Sequence, residues 1–322
     1  MAIVAGIDEA GLGPVLGPLV VSATVFRLPE EIEPASMWRH LASAVCRRPT
    51  ARGGKVAIGD SKKLYSRQKP NPLWNLERGV LGMLAAAGHS PSSLRALLEY
   101  LCPKTVGQMD SYPWYKKRDV PLPVSVDATN LTLAGNALRS DMDRAGISLM
   151  AIRSEAVLVG QYNRHVTATN NKAVALFDIT SRLLDWIWQS GTGERFRIYV
   201  DRHGGRLRYL SSLQRVLAGC SFKILDETDS FSAYRLQGHG NEGEICFMKS
   251  GDRLRLPVSL ASMTSKYLRE LFMGMLNDFW IQKLPGLLPT AGYYTDGRRF
   301  YGQIEAKVKS LGIDDGILYR CR

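Results

Sequence analysis

Four carboxylates fall where a sheet would gather them. Asp8 and Glu9 stand side by side at the end of the apolar run AIVAGI, Asp201 closes IYVD ahead of RHGG, and Glu270 lies in a helical stretch that begins near Ala261. In an open α/β sheet, ligands bind outside the carboxyl ends of the strands. Carboxylates meeting there repel one another unless cations neutralise them. An oxygen-only donor set suits Mg²⁺ or Mn²⁺, and such a cluster suits two ions about 3.5–4 Å apart, clamping the attacking and leaving oxygens of a phosphodiester. Neighbouring side chains of a regular strand point to opposite faces. Asp8 and Glu9 therefore reach one site only through a backbone kink, which Gly6, Gly11 and Gly13 permit. Taken singly, each acid has a plainer role: strand-end aspartates usually shape turns, and Glu270 sits four residues after Lys266, at ion-pair spacing.

The elements that must position these acids follow from the hydrophobic pattern. Residues 2–7 and 17–26, rich in valine, isoleucine, alanine and threonine and parted by glycine and proline, predict two consecutive strands. A helix-like stretch from Pro34 leads through Arg52 into a basic, glycine-containing loop. A short strand, a polar loop at Asp60–Lys63 and a helix over 73–87 come next. Helical periodicity over 130–145, with Thr129 or Asn130 as the cap, precedes a strand over 148–159 and a long amphipathic helix over 170–188. RFRIYVD, SFKILDE and ICFM read as strands, LRYLSSLQRVLAG and 261–283 as helices. Residues 90–125, with five prolines and the run YPWYKKR, read as an insertion or lid outside the core, its aromatics and cations suited to a nucleic-acid edge. The pattern predicts one α/β domain over 1–322 with a central mixed sheet flanked by helices, its region from 261 to 322 forming a helical substrate contact.

Composition narrows the partner. Lysine and arginine total 42 against 30 acids, a net charge of +12. Such an excess favours an anionic macromolecule, nucleic acid first and a membrane surface second. The five cysteines are scattered without zinc spacing, so they read as reduced structural thiols. Asp8 and Glu9 interrupt the only early apolar stretch where a signal sequence would have to continue, and no run of 18 apolar residues occurs. The expectation is a cytoplasmic protein with no membrane association and no obligate protein partner.

Motif order adds a resemblance. GIDEAGLGPVLGPLVV resembles the opening of the type 2 ribonucleases H (ribonucleases HII and HIII), GDSKKL at 59–64 their DSKKL signature, and IYVD the strand of their third carboxylate. SLASMTSKYLRE at 259–270 is similar to their AASILAKVTRD helix, and AGYYT at 291–295 to their KGYPT segment. The resemblance implies a ribonuclease H-like fold and metal-dependent cleavage of the RNA strand of RNA/DNA hybrids, leaving a 3′-hydroxyl. It carries catalytic and metal-ligand roles to Asp8, Glu9, Asp201 and Glu270, with Asp8 bridging two Mg²⁺ or Mn²⁺ ions. Substrate contacts fall on Gly11, Leu12, Gly13, Lys62, Lys63 and Tyr293. Type HII enzymes have Gly-Arg-Gly where this chain has Gly11-Leu12-Gly13; Glu270, and the stretch QYNRHVTATNNKAVAL at 161–176, are closer to type HIII.

From their chemistry, Lys62 and Lys63 suit phosphate contacts, Tyr293 suits stacking on a base or sugar, and the amides of Gly11 and Gly13 suit close approach to a minor groove. His203, two residues beyond Asp201, is a candidate aid to water attack or product release. Two other functions fit the same residues: a nucleic-acid-binding protein without catalysis, and a different structure-specific nuclease.

Overall fold

A computed structural model describes residues 1–49 and 54–321. Residues 50–52 of the expected helix-like stretch and the last residue of the expected C-terminal region lie outside them.

Nine strands occur among the described residues: β1 (Ala2–Ala10), β2 (Leu19–Leu28), β3 (Val45–Cys46), β4 (Val56–Ala57), β5 (Ser148–Val157), β6 (Arg195–Asp201), β7 (Ser221–Glu227), β8 (Phe231–Gly238) and β9 (Asn241–Met248). Seven form one mixed sheet in the order β5-β2-β1-β6-β9-β8-β7, and β3 pairs with β4 separately. The expected α/β architecture with a central mixed sheet is observed. β1, β6 and β9 are parallel neighbours at the centre, whereas β2, β5, β7 and β8 join antiparallel on the flanks. Their carboxyl ends therefore finish side by side, with Ile7 opposite Val200 and Asp201 opposite Met248.

Both faces of the sheet are covered, which explains why β1 and β2 read as continuous apolar runs. On one face lies the helix Leu256–Lys283, almost wholly buried over 28 residues. The other face carries Lys172–Gln189, whose Phe177, Leu184 and Trp188 pack with Ile3, Ile7 and Phe196. Gly6 permits the first of these contacts: a Cβ there would lie 2.2 Å from the carbonyl carbon of Pro257. The expected kink does not occur at Gly6. β1 keeps its pairing with β2 through Ala10, and the chain turns at Gly11, where φ is +93°.

A buried hydroxyl chain ties the long helix to the sheet. Ser265 Oγ donates to the carbonyl of Asp8 at 3.0 Å and lies 2.8 Å from Ser22 Oγ, which is in turn 2.8 Å from Ser154 Oγ. Thr24 Oγ1 donates to Pro257 O at 2.8 Å. Small hydroxyl side chains satisfy one another there and hold the helix close.

Four local expectations are corrected. The segment 90–125 folds into the helices Leu94–Leu101 and Pro103–Met109 and a loop whose Tyr112, Trp114 and Tyr115 are buried in the main core. It is pinned by Glu77, fully buried, whose carboxylate accepts from the backbone amides of Val124, Ser125 and Val126 and from the hydroxyl of Tyr267. Those aromatics face inward and present no stacking surface. The helix expected from Pro34 is limited to Pro34–Ser36 and Met37–His40, after which pairing of β3 with β4 overrides the local pattern. Asp127, accepting from Asn130 N at 2.8 Å, caps the helix Ala128–Ala145 in place of Thr129 or Asn130. β8 was not foreseen; it reaches β9 through a tight turn with positive φ at His239 and Gly240.

Candidate functional site

A cavity of about 410 Å³ opens over the carboxyl ends of β1, β6 and β9. Asp8 and Glu9 enter it from the last residues of β1, Asp201 from the end of β6, and Asp252 from just beyond β9. Pairing between β1 and β6 stops at Ile7 and Val200 while pairing with β2 runs on to Ala10, so the two acids of β1 lie past the last residues paired with β6 and both line the space that opens there. That explains their adjacency without the kink.

Asp252 was missed from the sequence. It follows β9 through Ser250, a non-glycine residue at φ +59°, and Gly251, whose amide donates to Asp201 Oδ1 at 2.8 Å. The tight turn holds Asp252 beside Asp201. A hint was present in the sequence, since GDRLRLP begins shortly after a strand-like ICFM.

The four carboxylates act on one another. Burial pushes the carboxyl of Asp8 well above the usual range, and Glu9, Asp201 and Asp252 push it further, against a hydrogen bond from Ser262. Burial, then Asp201, raises Glu9 to about 7. Burial raises Asp201 to about 6, with Asp252 adding to it and the Gly251 amide and Lys62 opposing it. Asp252 is raised by burial and then by Asp60. This is the electrostatic signature of a cluster short of positive charge.

Glu270 is placed differently from the sequence expectation. It does not line the cavity. Its Oε1 accepts from Lys266 Nζ at 2.7 Å and Arg269 Nη1 at 3.2 Å, its Oε2 from the Tyr65 hydroxyl at 2.6 Å and Arg67 Nη2 at 3.2 Å. Burial alone would raise its carboxyl, but Lys266 and Arg269 hold it down to about 2. Ser262, Lys266 and Arg269 form the stripe of the long helix that faces the cavity. Glu270 stands about 40° beyond Lys266 on the same side of the helix, at the edge of that stripe, and anchors its cations.

The remaining expected residues separate into two groups. Gly11, Leu12, Gly13, Lys62 and Tyr293 line the cavity together with Arg202. Lys63 lies on the neighbouring cleft, because Lys62 and Lys63 leave the short helix Ser61–Leu64 in different directions. Tyr293 is half exposed, with the Arg269 guanidinium 5.7 Å from its ring centre. Leu12 also packs against the core beneath the sheet. A Cβ at Gly13 would meet nothing, so its backbone is open to an approaching ligand. His203 is buried against Phe177, Tyr209 and Phe247, 3.2 Å from Thr180 Oγ1, and burial lowers it to about 3. It packs as a neutral core residue away from the cavity.

Whether the donors fit divalent cations can be judged from their chemistry. All four are carboxylates, hard oxygen donors with no competing sulfur or imidazole, which suits Mg²⁺ or Mn²⁺. Among the described residues no three such side chains are already drawn into a ligand group. Instead Asp8 Oδ1 accepts from Glu9 N at 2.7 Å, and Asp201 is held by Gly251. Mutual repulsion accounts for carboxylates that share a cavity but turn to main-chain donors.

No family model matches the chain, and no curated protein matches it. Among solved structures it is similar to the ribonuclease H2 of Pyrococcus horikoshii OT3, 17% identical over 98% of this chain and 92% of that one, with a TM-score of 0.41. The RNase HII of Archaeoglobus fulgidus, solved with PCNA, is 14% identical over 99% of this chain and 94% of its own, at 0.41. Bst-RNase HIII, solved with Mn²⁺, is 12% identical over 99% of this chain and 66% of its own, at 0.40. No helix among the described residues is long and apolar enough to cross a membrane.

Proposed function

We propose that this chain is a divalent-metal-dependent endonuclease that hydrolyses the RNA strand of RNA/DNA hybrids. One observation carries the proposal. The five segments whose wording resembles the type 2 ribonucleases H are spread from Gly6 to Thr295, and Asp8–Pro14, Ser61–Lys62, Asp201, Ser262–Arg269 and Tyr293 each contribute to the wall of one cavity. Such convergence of distant segments is what a shared reaction requires and packing alone does not.

The division of labour follows from the side chains. Asp8, Glu9, Asp201 and Asp252 would hold the cations, Asp252 taking the place first given to Glu270. When bound, a pair of Mg²⁺ or Mn²⁺ ions would supply an activated water and stabilisation of the leaving 3′-oxygen. Lys62, Lys266 and Arg202 present positive charge on the cavity wall, suited to the phosphates beside the scissile bond. Tyr293 offers an exposed ring for a sugar or base, and the open main chain at Gly13 suits approach to the minor groove, where 2′-hydroxyls are displayed. Glu270 keeps Lys266 and Arg269 in place from behind the wall.

The test is a panel of a uniform hybrid, a duplex with one embedded ribonucleotide, plain duplex DNA and branched DNA, each incubated with Mg²⁺ or Mn²⁺. Cleavage of the hybrid's RNA strand, abolished in Asp8→Asn with binding kept, is the expected result. Cleavage of branched DNA alone, or binding of the hybrid without any cleavage, overturns it.

A further inference from the structure

Beside the carboxylate cavity runs a second cleft, of about 480 Å³, that shares Asp252 and Arg253 with it. Its floor is built by Trp38, which donates from Nε1 to the carbonyl of Ile58 at 2.8 Å and carries the Arg47 guanidinium 4.0 Å above its ring. Arg47 Nη1 also donates to Arg253 O at 3.3 Å, so its charge is fixed over the cleft. Arg48, Lys63 and Lys69 complete the rim. Among the described residues none of Arg47, Arg48, Lys63 and Lys69 has a carboxylate partner. Two acids lie on the wall: Asp60 is already taken by Arg253 at 3.0 Å and by the amide of Lys62, and Asp252 stands at the end shared with the carboxylate cavity.

Four cations without a carboxylate partner, held along a groove that opens from a cavity built for phosphodiester chemistry, call for a linear polyanion. We infer that this cleft is a phosphate track: it receives the backbone of a nucleic-acid strand running on from the carboxylate cavity, on one side of the scissile position only. The inference rests on the nuclease reading and deepens it by giving the substrate a direction. Continuity with the cavity favours a nucleic-acid strand over an acidic peptide, since a strand seated at the carboxylates must leave across the shared Asp252–Arg253 wall. The placement of Arg47 matches this use, because a guanidinium already held over the Trp38 ring and on the Arg253 carbonyl loses little freedom when it meets a phosphate.

Arg48 and Lys69 are exposed on the rim, and neither side chain enters a hydrogen bond or ion pair among the described residues, so Arg48→Gln with Lys69→Gln leaves the fold and the Trp38 stack untouched. The experiment measures fluorescence-anisotropy binding of the full chain to a labelled hybrid in EDTA, across a salt series. Two further hybrids are trimmed, one on each side of the cleavage position. The double variant is expected to bind the long hybrid about tenfold more weakly at low salt and to lower the log–log salt slope by about two, one for each phosphate that is no longer neutralised. The effect should vanish for one trimmed hybrid and persist for the other. Unchanged affinity and slope, or an equal effect on both trimmed hybrids, overturns the track. Because EDTA removes cleavage from the readout, a protein that shows the one-sided effect yet never cleaves a hybrid in Mg²⁺ or Mn²⁺ keeps the track and loses the nuclease reading.

Discussion

Arg320 grips the carbonyl of Gly17 with two donors, Nε at 2.9 Å and Nη2 at 2.6 Å. Its Nη1 reaches the carbonyl of Gly11, its backbone amide donates to Val15 O at 2.9 Å, and its guanidinium lies 4.4 Å from the ring centre of Tyr162. Arg320 thus holds the loop that follows Asp8 and Glu9. No carboxylate pairs with this buried cation among the described residues; burial lowers it to about 9, with Arg269 adding to the effect.

Removing the guanidinium leaves several buried carbonyls without donors, each costing about 1–3 kcal/mol. Arg320→Met is therefore expected to lose about 3 kcal/mol or more in denaturant unfolding. Arg320→Lys should recover little, because one ammonium cannot reproduce the planar fork. Full stability in Arg320→Met would show that water satisfies the loop equally well.

Asp252 and Glu270 should respond in opposite ways. Asp252→Asn removes a carboxylate from the cavity and is expected to lower hybrid cleavage at least about 100-fold while the unfolding midpoint holds or rises. Glu270→Gln leaves Lys266, Arg269 and Arg67 uncompensated near a buried position, so its main effect should be on stability. Steady-state cleavage rates beside melting curves for the two variants decide the assignment. A stable, inactive Glu270→Gln protein would return Glu270 to the metal-ligand role.

Much of this arrangement was legible in the sequence, and the failures have a common cause. Asp8, Glu9 and Asp201 were visible because strand ends announce themselves through apolar runs broken by glycine. Asp252 was not, because it belongs to the site only through the parallel register that sets Asp201 opposite Met248. Glu270 belongs to the expected set through the resemblance of SLASMTSKYLRE, and only the fold shows its carboxylate closed into ion pairs with Lys266, Arg269 and Arg67. The segment 90–125 looked like a lid because its prolines and charges hide what Glu77 does from 47 residues away, accepting three amides at its far end. Long-range polar anchors leave no local periodicity to read.

Acid should expose the role of Glu270. Its carboxyl is held at about 2 in the fold against 4.5 ordinarily, so the fold binds the proton less readily than the unfolded chain does. The resulting stability, about 3 kcal/mol, is fully present above about pH 4.5 and is lost as the pH falls towards 2. Wild type should therefore lose more stability than Glu270→Gln between pH 5 and pH 3, measured by urea unfolding. Parallel curves for the two proteins would remove the ion-pair account.

Tyr293 tests substrate contact apart from chemistry. Its ring is half exposed beside the cavity and anchors nothing in the core. Tyr293→Ala should weaken hybrid binding by about 1–3 kcal/mol, with Tyr293→Phe close to wild type, because stacking needs the ring and not the hydroxyl. Anisotropy titrations of both variants check this, and equal losses in the two would assign the contact to the hydroxyl.

Divalent cations should stabilise the protein through the same four carboxylates that now oppose one another. Burial and mutual repulsion raise Asp8, Glu9 and Asp201 together, so the metal-free fold carries a strain that a cation relieves. At about 100 times its dissociation constant, a bound ion adds about 2.7 kcal/mol. At about 2–4 °C per kcal/mol, this raises the melting temperature by several degrees. Asp8→Asn lowers the repulsion and removes a ligand at once. In EDTA it should melt at or above the wild-type temperature, and in Mn²⁺ it should show little further shift. Differential scanning calorimetry of both proteins with and without Mn²⁺ separates the two effects: a wild type indifferent to Mn²⁺ and Mg²⁺ would mean that the cavity does not take up the ions its carboxylates are suited to hold.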